Sequence, residues 1–204
     1  MHLRELRSRL RHWTAPHPDW TPEQGGDDGW EQEVGCYAYV PPDGGMLVLI
    51  DPLVASWDAL DGEVEQHGAP HILITCQWHF RSAPQILDRY EGARTWVFAP
   101  AVDEVSKQTR VTDAFALGDP LPGGIEAYLV FGEIGEVAYR IPEYEAVVTG
   151  DALAAAPAKP VRVWWADRDK LRALLDRPIE MLLLTHGGPV LERGGEALAR
   201  ALEA

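Results

Sequence analysis

Apolar residues in this chain fall mainly into short unbroken runs, with helical spacing between them. Met46-Leu47-Val48-Leu49-Ile50, His71-Ile72-Leu73-Ile74-Thr75 and Met181-Leu182-Leu183-Leu184 lack polar alternation, which predicts strands buried on both faces. After Ser56, read as an N-cap, Trp57, Leu60 and Val64 share one helical face until Gly68 and Pro70 end it. Ser82 and Gln85 have capping-box spacing ahead of Ile86, Leu87 and Tyr90. Trp96-Val97-Phe98 predicts a short strand, and residues 101–107 a short helix. A further helix over about 168–175 carries Leu171, Leu174 and Leu175, and the last, from about Gly195, turns Leu198, Ala201 and Leu202 inward.

Two hairpins organise these elements. The first joins Cys36–Val40 to Met46–Ile50 through Pro41-Pro42-Asp43-Gly44-Gly45; the second joins 136–141 to 146–149 through Pro142-Glu143-Tyr144, after a strand over 125–131. Parallel strands need long crossovers, so tight hairpins argue against a doubly wound parallel sheet. The chain is read as an α/β (α+β) fold in which two mixed sheets pack face to face under outer helices. Residues 1–204 are read as one domain. Residues 1–32, rich in Pro, Gly, Trp and Asp, are read as an irregular lead-in anchored by Trp13, Trp20 and Trp30, with His12 and His17 packed within it.

Bulk chemistry narrows the function classes. With 46% hydrophobic and 25% charged residues the composition is that of a globular protein. A formal net charge of −14 disfavours nucleic acid and anionic membrane as partners. Cys36 and Cys76 are too few for a disulfide framework, no secretory signal is visible and no apolar run approaches a bilayer span, so a cytoplasmic location is expected. No Gly-x-Ser-x-Gly elbow or phosphate loop is present. Trp164-Trp165 is read as core and lid packing, and Gly123-Gly124 and Gly187-Gly188 as turns.

Five segments in order carry a family resemblance. They are Leu49-Ile50-Asp51-Pro52; Thr75-Cys76-Gln77-Trp78-His79-Phe80-Arg81; Phe131-Gly132-Glu133-Ile134-Gly135-Glu136; Thr149-Gly150-Asp151; and Leu184-Thr185-His186-Gly187-Gly188-Pro189. Together they resemble the metallo-β-lactamase superfamily, whose ligand turn reads Thr-His-x-His-x-Asp-His. The resemblance implies a four-layer αββα sandwich with a metal cleft at its mouth. It also implies a departure. Cys76, Trp78, Phe80 and Arg81 occupy the ligand positions of the turn, and Gly132 stands where another ligand His should be. Asp151 and His186 match the bridging carboxylate and the final His, and Asp51 matches the acidic residue that braces the site.

Two readings of this cleft follow. In the first, no cofactor is held, and the protein is catalytically silent or binds a small molecule over the old cleft. Arg81 then replaces the metal's charge opposite Asp151, with Trp78 and Phe80 filling its volume. In the second, Cys76, Asp151 and His186, with His79 as an addition, hold one zinc or iron ion in a mononuclear hydrolase of an ester, thioester or amide. His79 lies between two ligand positions, and its expected partner is loop backbone. An interaction module, such as a homodimer using exposed Trp, is a third class that these residues do not separate from the first.

Overall fold

The structure is a computed structural model that describes residues 3–26, 29–156 and 159–204. Its first sheet runs in chain order through β1 (Arg4–Arg7), β2 (Leu10–Pro16), β3 (Glu33–Tyr39), β4 (Leu47–Ile50), β5 (Pro70–Ile74), β6 (Arg94–Phe98) and β7 (Asp113–Phe115). Strands β1 to β4 pair antiparallel and β4 to β7 parallel. The parallel neighbours are joined by crossovers that hold α1 (Trp57–His67), α2 (Ala83–Arg89) and α3 (Val102–Val105). The second sheet holds β8 (Glu126–Phe131), β9 (Glu136–Ile141), β10 (Ala146–Ala154) and β11 (Arg162–Val163), with β12 (Met181–His186) parallel to β10. Two more helices, α4 (Arg168–Leu174) and α5 (Gly194–Glu203), complete the chain.

Period-2 side-chain alternation divides the unbroken apolar runs between layers. From β4, Val48 and Ile50 enter a core that also contains Val137, Tyr139 and Val148 of the second sheet. Leu47 and Leu49 face outward, into a cluster with Leu60 of α1 and Ile86 of α2. In β12, Met181 and Leu183 join the inter-sheet core, while Leu182 and Leu184 pack with Leu171 of α4 and Leu198 of α5. Helices therefore cover both outer faces of two stacked sheets, as the αββα reading requires. No helix among the described residues is long and apolar enough to cross a membrane.

Several expectations are corrected. The segment read as an irregular lead-in contains β1 and β2, which extend the first sheet by antiparallel pairing. In β2, Arg11 and His12 interrupt the apolar pattern, so strand periodicity is hidden in the sequence. Trp13 is buried, and its indole N–H donates to the Leu53 carbonyl at 2.9 Å. The capping box at α2 does not form: Ser82 has no side-chain cap bond, and its hydroxyl accepts the Val54 N–H at 2.9 Å. The short strands β7 and β11 carry no run long enough to announce them.

His12 lies on β2 against the Tyr37 ring, with centroids 5.1 Å apart, and its Nε2 has no partner among the described residues. Burial, reinforced by Arg4, pushes it down from its ordinary 6.5 to about 4. The unfolded chain therefore binds the extra proton first as pH falls, and stability drops between 6.5 and 4. Acidification from pH 7 to about 4.5 is expected to cost the native protein about 2 kcal/mol more than it costs His12→Gln. Urea denaturation at both pH values checks this; parallel losses in the two proteins would refute it.

Candidate functional site

The site forms where β4, β5 and β12 end, beside Asp151 within β10, at one edge of the sandwich. Asp51, just past β4, is fully buried and left-handed at φ 47°. Its Oδ1 accepts the Thr75 N–H at 2.9 Å. Its Oδ2 accepts the Thr75 hydroxyl at 2.6 Å and faces His79 Nδ1 at 2.8 Å. The turn after β5 closes with His79 N–H donating to the Cys76 carbonyl at 3.0 Å. It is tied to the second sheet by Tyr139 Oη donating to the Ile74 carbonyl at 2.8 Å and Val137 N–H to that of Thr75 at 3.0 Å.

With Nδ1 held by Asp51, the other ring nitrogen of His79 faces the end of β10. His79 Nε2 lies 3.2 Å from Asp151 Oδ1 and 3.3 Å from His186 Nε2. His186 Nε2 is itself 2.9 Å from the same Asp151 oxygen. Cys76 Sγ is 3.7 Å from Asp151 Oδ2. The His186 ring sits between the edges of Trp30 and Trp164, at 5.1 and 5.3 Å between centroids, and its Nδ1 has no hydrogen-bond partner among the described residues. Aromatic packing fixes this ring.

Electrostatics follow from the burial. Burial works against an imidazolium at His79, yet the acidic groups around it, Cys76, Asp51 and Asp151, hold it well above its ordinary range. Burial also pushes the Cys76 thiol up to about 12, so at neutral pH the two carboxylates carry that effect. Burial would raise Asp151, but His79 and His186 together keep it well below the usual carboxylate range. His186 is pushed down to about 4, burial being the main cause, and is neutral. Without a metal, His79 is the basic group set between the carboxyl groups of Asp51 and Asp151.

Arg81 plays a different part from the one expected. Its guanidinium donates to the carbonyls of Gly35 and Asp51 at 2.9 and 2.8 Å, and no bond or ion pair joins it to Asp151. It is buried and left-handed at φ 41°, a strained conformation for Arg that these bonds hold in place. Arg81 therefore braces the Asp51 turn. His79 fills the place opposite Asp151 because the turn after β5 swings its side chain into the cleft. The expected backbone role for that side chain is not what it has.

The remaining positions separate. Phe80 packs against the outer core of the first sheet. Trp78 stands at the rim, edge to face with Trp165 at 5.4 Å, and does not plug the cleft. Gly132 is exposed on the β8–β9 turn, its N–H donating to Asp167 Oδ2 at 3.2 Å, outside the cleft. The same segment instead delivers Glu136, which the motif reading passed over. Glu136 is fully buried, and its Oε1 accepts the Ala152 N–H at 2.8 Å. Burial, reinforced by Asp151, pushes its carboxyl well above the usual range. One acidic residue opening the apolar strand Val137-Ala138-Tyr139 was the available signal.

Above these groups lies a cavity of about 700 Å³, with His79, Arg81, Asp151 and His186 at its base and Trp30, Trp78, Trp164 and Trp165 among its walls. His17 also lines it, its ring edge on Trp30 at 5.2 Å. The segment 164–165, read from sequence as packing, is thus part of the cavity wall.

The donor set fits one metal ion. Donors sharing a tetrahedral zinc at about 2.0–2.3 Å lie about 3.3–3.8 Å from each other. Here His79 Nε2, Asp151 Oδ1 and His186 Nε2 lie 2.9–3.3 Å apart, at or just inside that spacing, and Cys76 Sγ is 3.7 Å from the other Asp151 oxygen. The metal-capable atoms of Cys76, His79 and Asp151 lie within 4.8 Å of one another. Asp51 supplies the outer carboxylate that commonly orients a ligand His. Among the described residues a second ion finds no such cradle, because Trp78, Phe80, Arg81 and Gly132 offer it no donors.

No family model matches the chain, and no curated protein does. Solved structures do. DIM-1 metallo-beta-lactamase, in a crystal exposed to ceftazidime, superposes with a TM-score of 0.70 at 15% identity, over 99% of this chain and 96% of that one. A metallo-beta-lactamase from Pontibacter korlensis gives 0.69 at 16% identity, over 99% and 98%. A metallo-beta-lactamase family protein from Thermus thermophilus gives 0.64 at 16% identity, over 98% and 80%. At these identities the likeness is one of fold.

Proposed function

Starting from a chain with the metallo-β-lactamase fold, we propose that its cleft is a mononuclear metal site serving hydrolysis of a small ester, thioester or amide. His79, Asp151 and His186 supply three donors, the number a catalytic zinc commonly takes from protein. Cys76 forms a second possible set of three with His79 and Asp151. The observation that carries this reading is the Asp51–His79 contact, which turns Nε2 of a buried His toward Asp151 and His186. A bound divalent ion supplies a water of low pKa and polarises the substrate oxygen. Asp51 holds the His79 tautomer, Trp30 and Trp164 hold the His186 ring, and the tryptophan walls limit water at the base.

A specific observation favours a second reading. His79 lies between two buried carboxylates, so proton and metal compete for the same Nε2. If the proton prevails, the cleft is a metal-free binding pocket. Elemental analysis of protein purified without chelator separates the two. One zinc, iron or manganese per chain is expected, lost in His79→Ala and Asp151→Ala. Protein without metal, and with a melting temperature that added zinc does not raise, would reject the hydrolase reading.

A further inference from the structure

The cavity's rim differs chemically from its base. Among the described residues, the large apolar side chains left exposed are Trp78 at 42%, Leu117 at 47% and Trp165 at 49%. Two of these three stand side by side at this mouth, one from each half of the chain. Exposed indoles are unfavourable in water unless something flat and apolar covers them. Trp164 continues the surface inward, 6.1 Å from Trp165 and 5.3 Å from the His186 ring. Four of the chain's eight tryptophans line this one cavity, whose 700 Å³ is the size of a small-molecule site.

Charge in the lining argues against an anion as the occupant. Asp151 is matched by His79, and Arg81 is engaged with two backbone carbonyls. The Nε and Nη2 of Arg81 are sealed from solvent. Asp19 is also in the lining, on a chain of net charge −14, so no accessible Lys or Arg greets an anion. The indole N–H groups of Trp30, Trp78, Trp164 and Trp165 donate to no protein acceptor among the described residues. They remain for a carbonyl or ether oxygen of a ligand.

We propose that this cavity takes an uncharged, planar aromatic molecule bearing a hydrogen-bond acceptor, lying against the edge-to-face pair of Trp78 and Trp165 at the mouth. The inference deepens the hydrolase reading and rests on the same cavity being the working site. An aromatic ester or amide is then the substrate class, with its ring against the indoles and its carbonyl toward His79 and Asp151.

The test titrates 2-naphthamide into zinc-loaded and chelator-treated protein, followed by tryptophan emission and by calorimetry. Saturable one-to-one binding is expected in both forms. In the chelator-treated protein it should be at least tenfold tighter than for the decahydro analogue, 2-naphthoate or 2-naphthyltrimethylammonium. Trp78→Ala and Trp165→Ala, at exposed positions, should each weaken it at least tenfold, and Trp165→Phe should restore most of the loss. Equal binding of the saturated analogue, tighter binding of either charged probe, or indifference to both alanine variants would overturn the proposal. Zinc uptake without naphthamide binding would overturn it while leaving the metal reading intact; naphthamide binding without zinc uptake would do the reverse.

Discussion

Asp51→Ala is expected to destabilise the protein by about 3–5 kcal/mol, measured in urea with chelator present to remove any contribution from metal. The side chain is fully buried and accepts from the Thr75 amide and hydroxyl while meeting His79 Nδ1. Its removal leaves a cavity, takes the partner from buried His79 Nδ1 and leaves the Thr75 amide and hydroxyl without their acceptor. Asp51→Asn keeps the shape and one acceptor but not the charge. It should cost less stability and weaken zinc binding by about 10–100-fold, the range for an outer partner of a ligand His. A loss below about 1 kcal/mol in Asp51→Ala would show that the contact contributes nothing substantial.

Gly150→Val is expected to cost about 3 kcal/mol or more, beyond ordinary overpacking of a core. A Cβ at Gly150 would fall 2.5 Å from Thr75 Oγ1 and 2.9 Å from Glu136 Oε1. Strand β10 approaches the ligand turn this closely because Asp151 must reach His79. A side chain at Gly150 would therefore push Thr75 off Asp51 or lift Asp151 out of the cleft. Gly188→Ala is the control, since nothing stands within 4 Å of its Cβ. Denaturation midpoints check both, and a Gly150→Val protein as stable as Gly188→Ala would contradict the geometry.

Much of the fold was legible because burial writes itself into the runs at Met46–Ile50 and Met181–Leu184, and because hairpin turns announce themselves in Pro and Gly. Strand β2 was not legible, since Arg11 and His12 mask its alternation and Trp13 resembles a loop anchor. The site was legible in part. Asp51 and His186 lie at strand ends, where backbone position follows from sequence order, and Asp151 follows the Thr149-Gly150 pair inside β10. His79 was misread because motif alignment assigns function by position, whereas the short turn after Thr75 decides which side chain enters the cleft. Arg81 was misassigned for a related reason: the backbone carbonyls of Gly35 and Asp51 can engage a guanidinium, and no sequence pattern marks them. Glu136 stayed hidden because its role depends on contact with β10, far along the chain.

The most direct measurement is zinc K-edge absorption spectroscopy on protein loaded with one equivalent of zinc, compared with His79→Ala. Nitrogen and oxygen scatterers are expected at about 2.0–2.1 Å with imidazole signatures, and one histidine fewer in the variant. A native spectrum of hexahydrated zinc, or one unchanged by removing His79, would contradict this expectation.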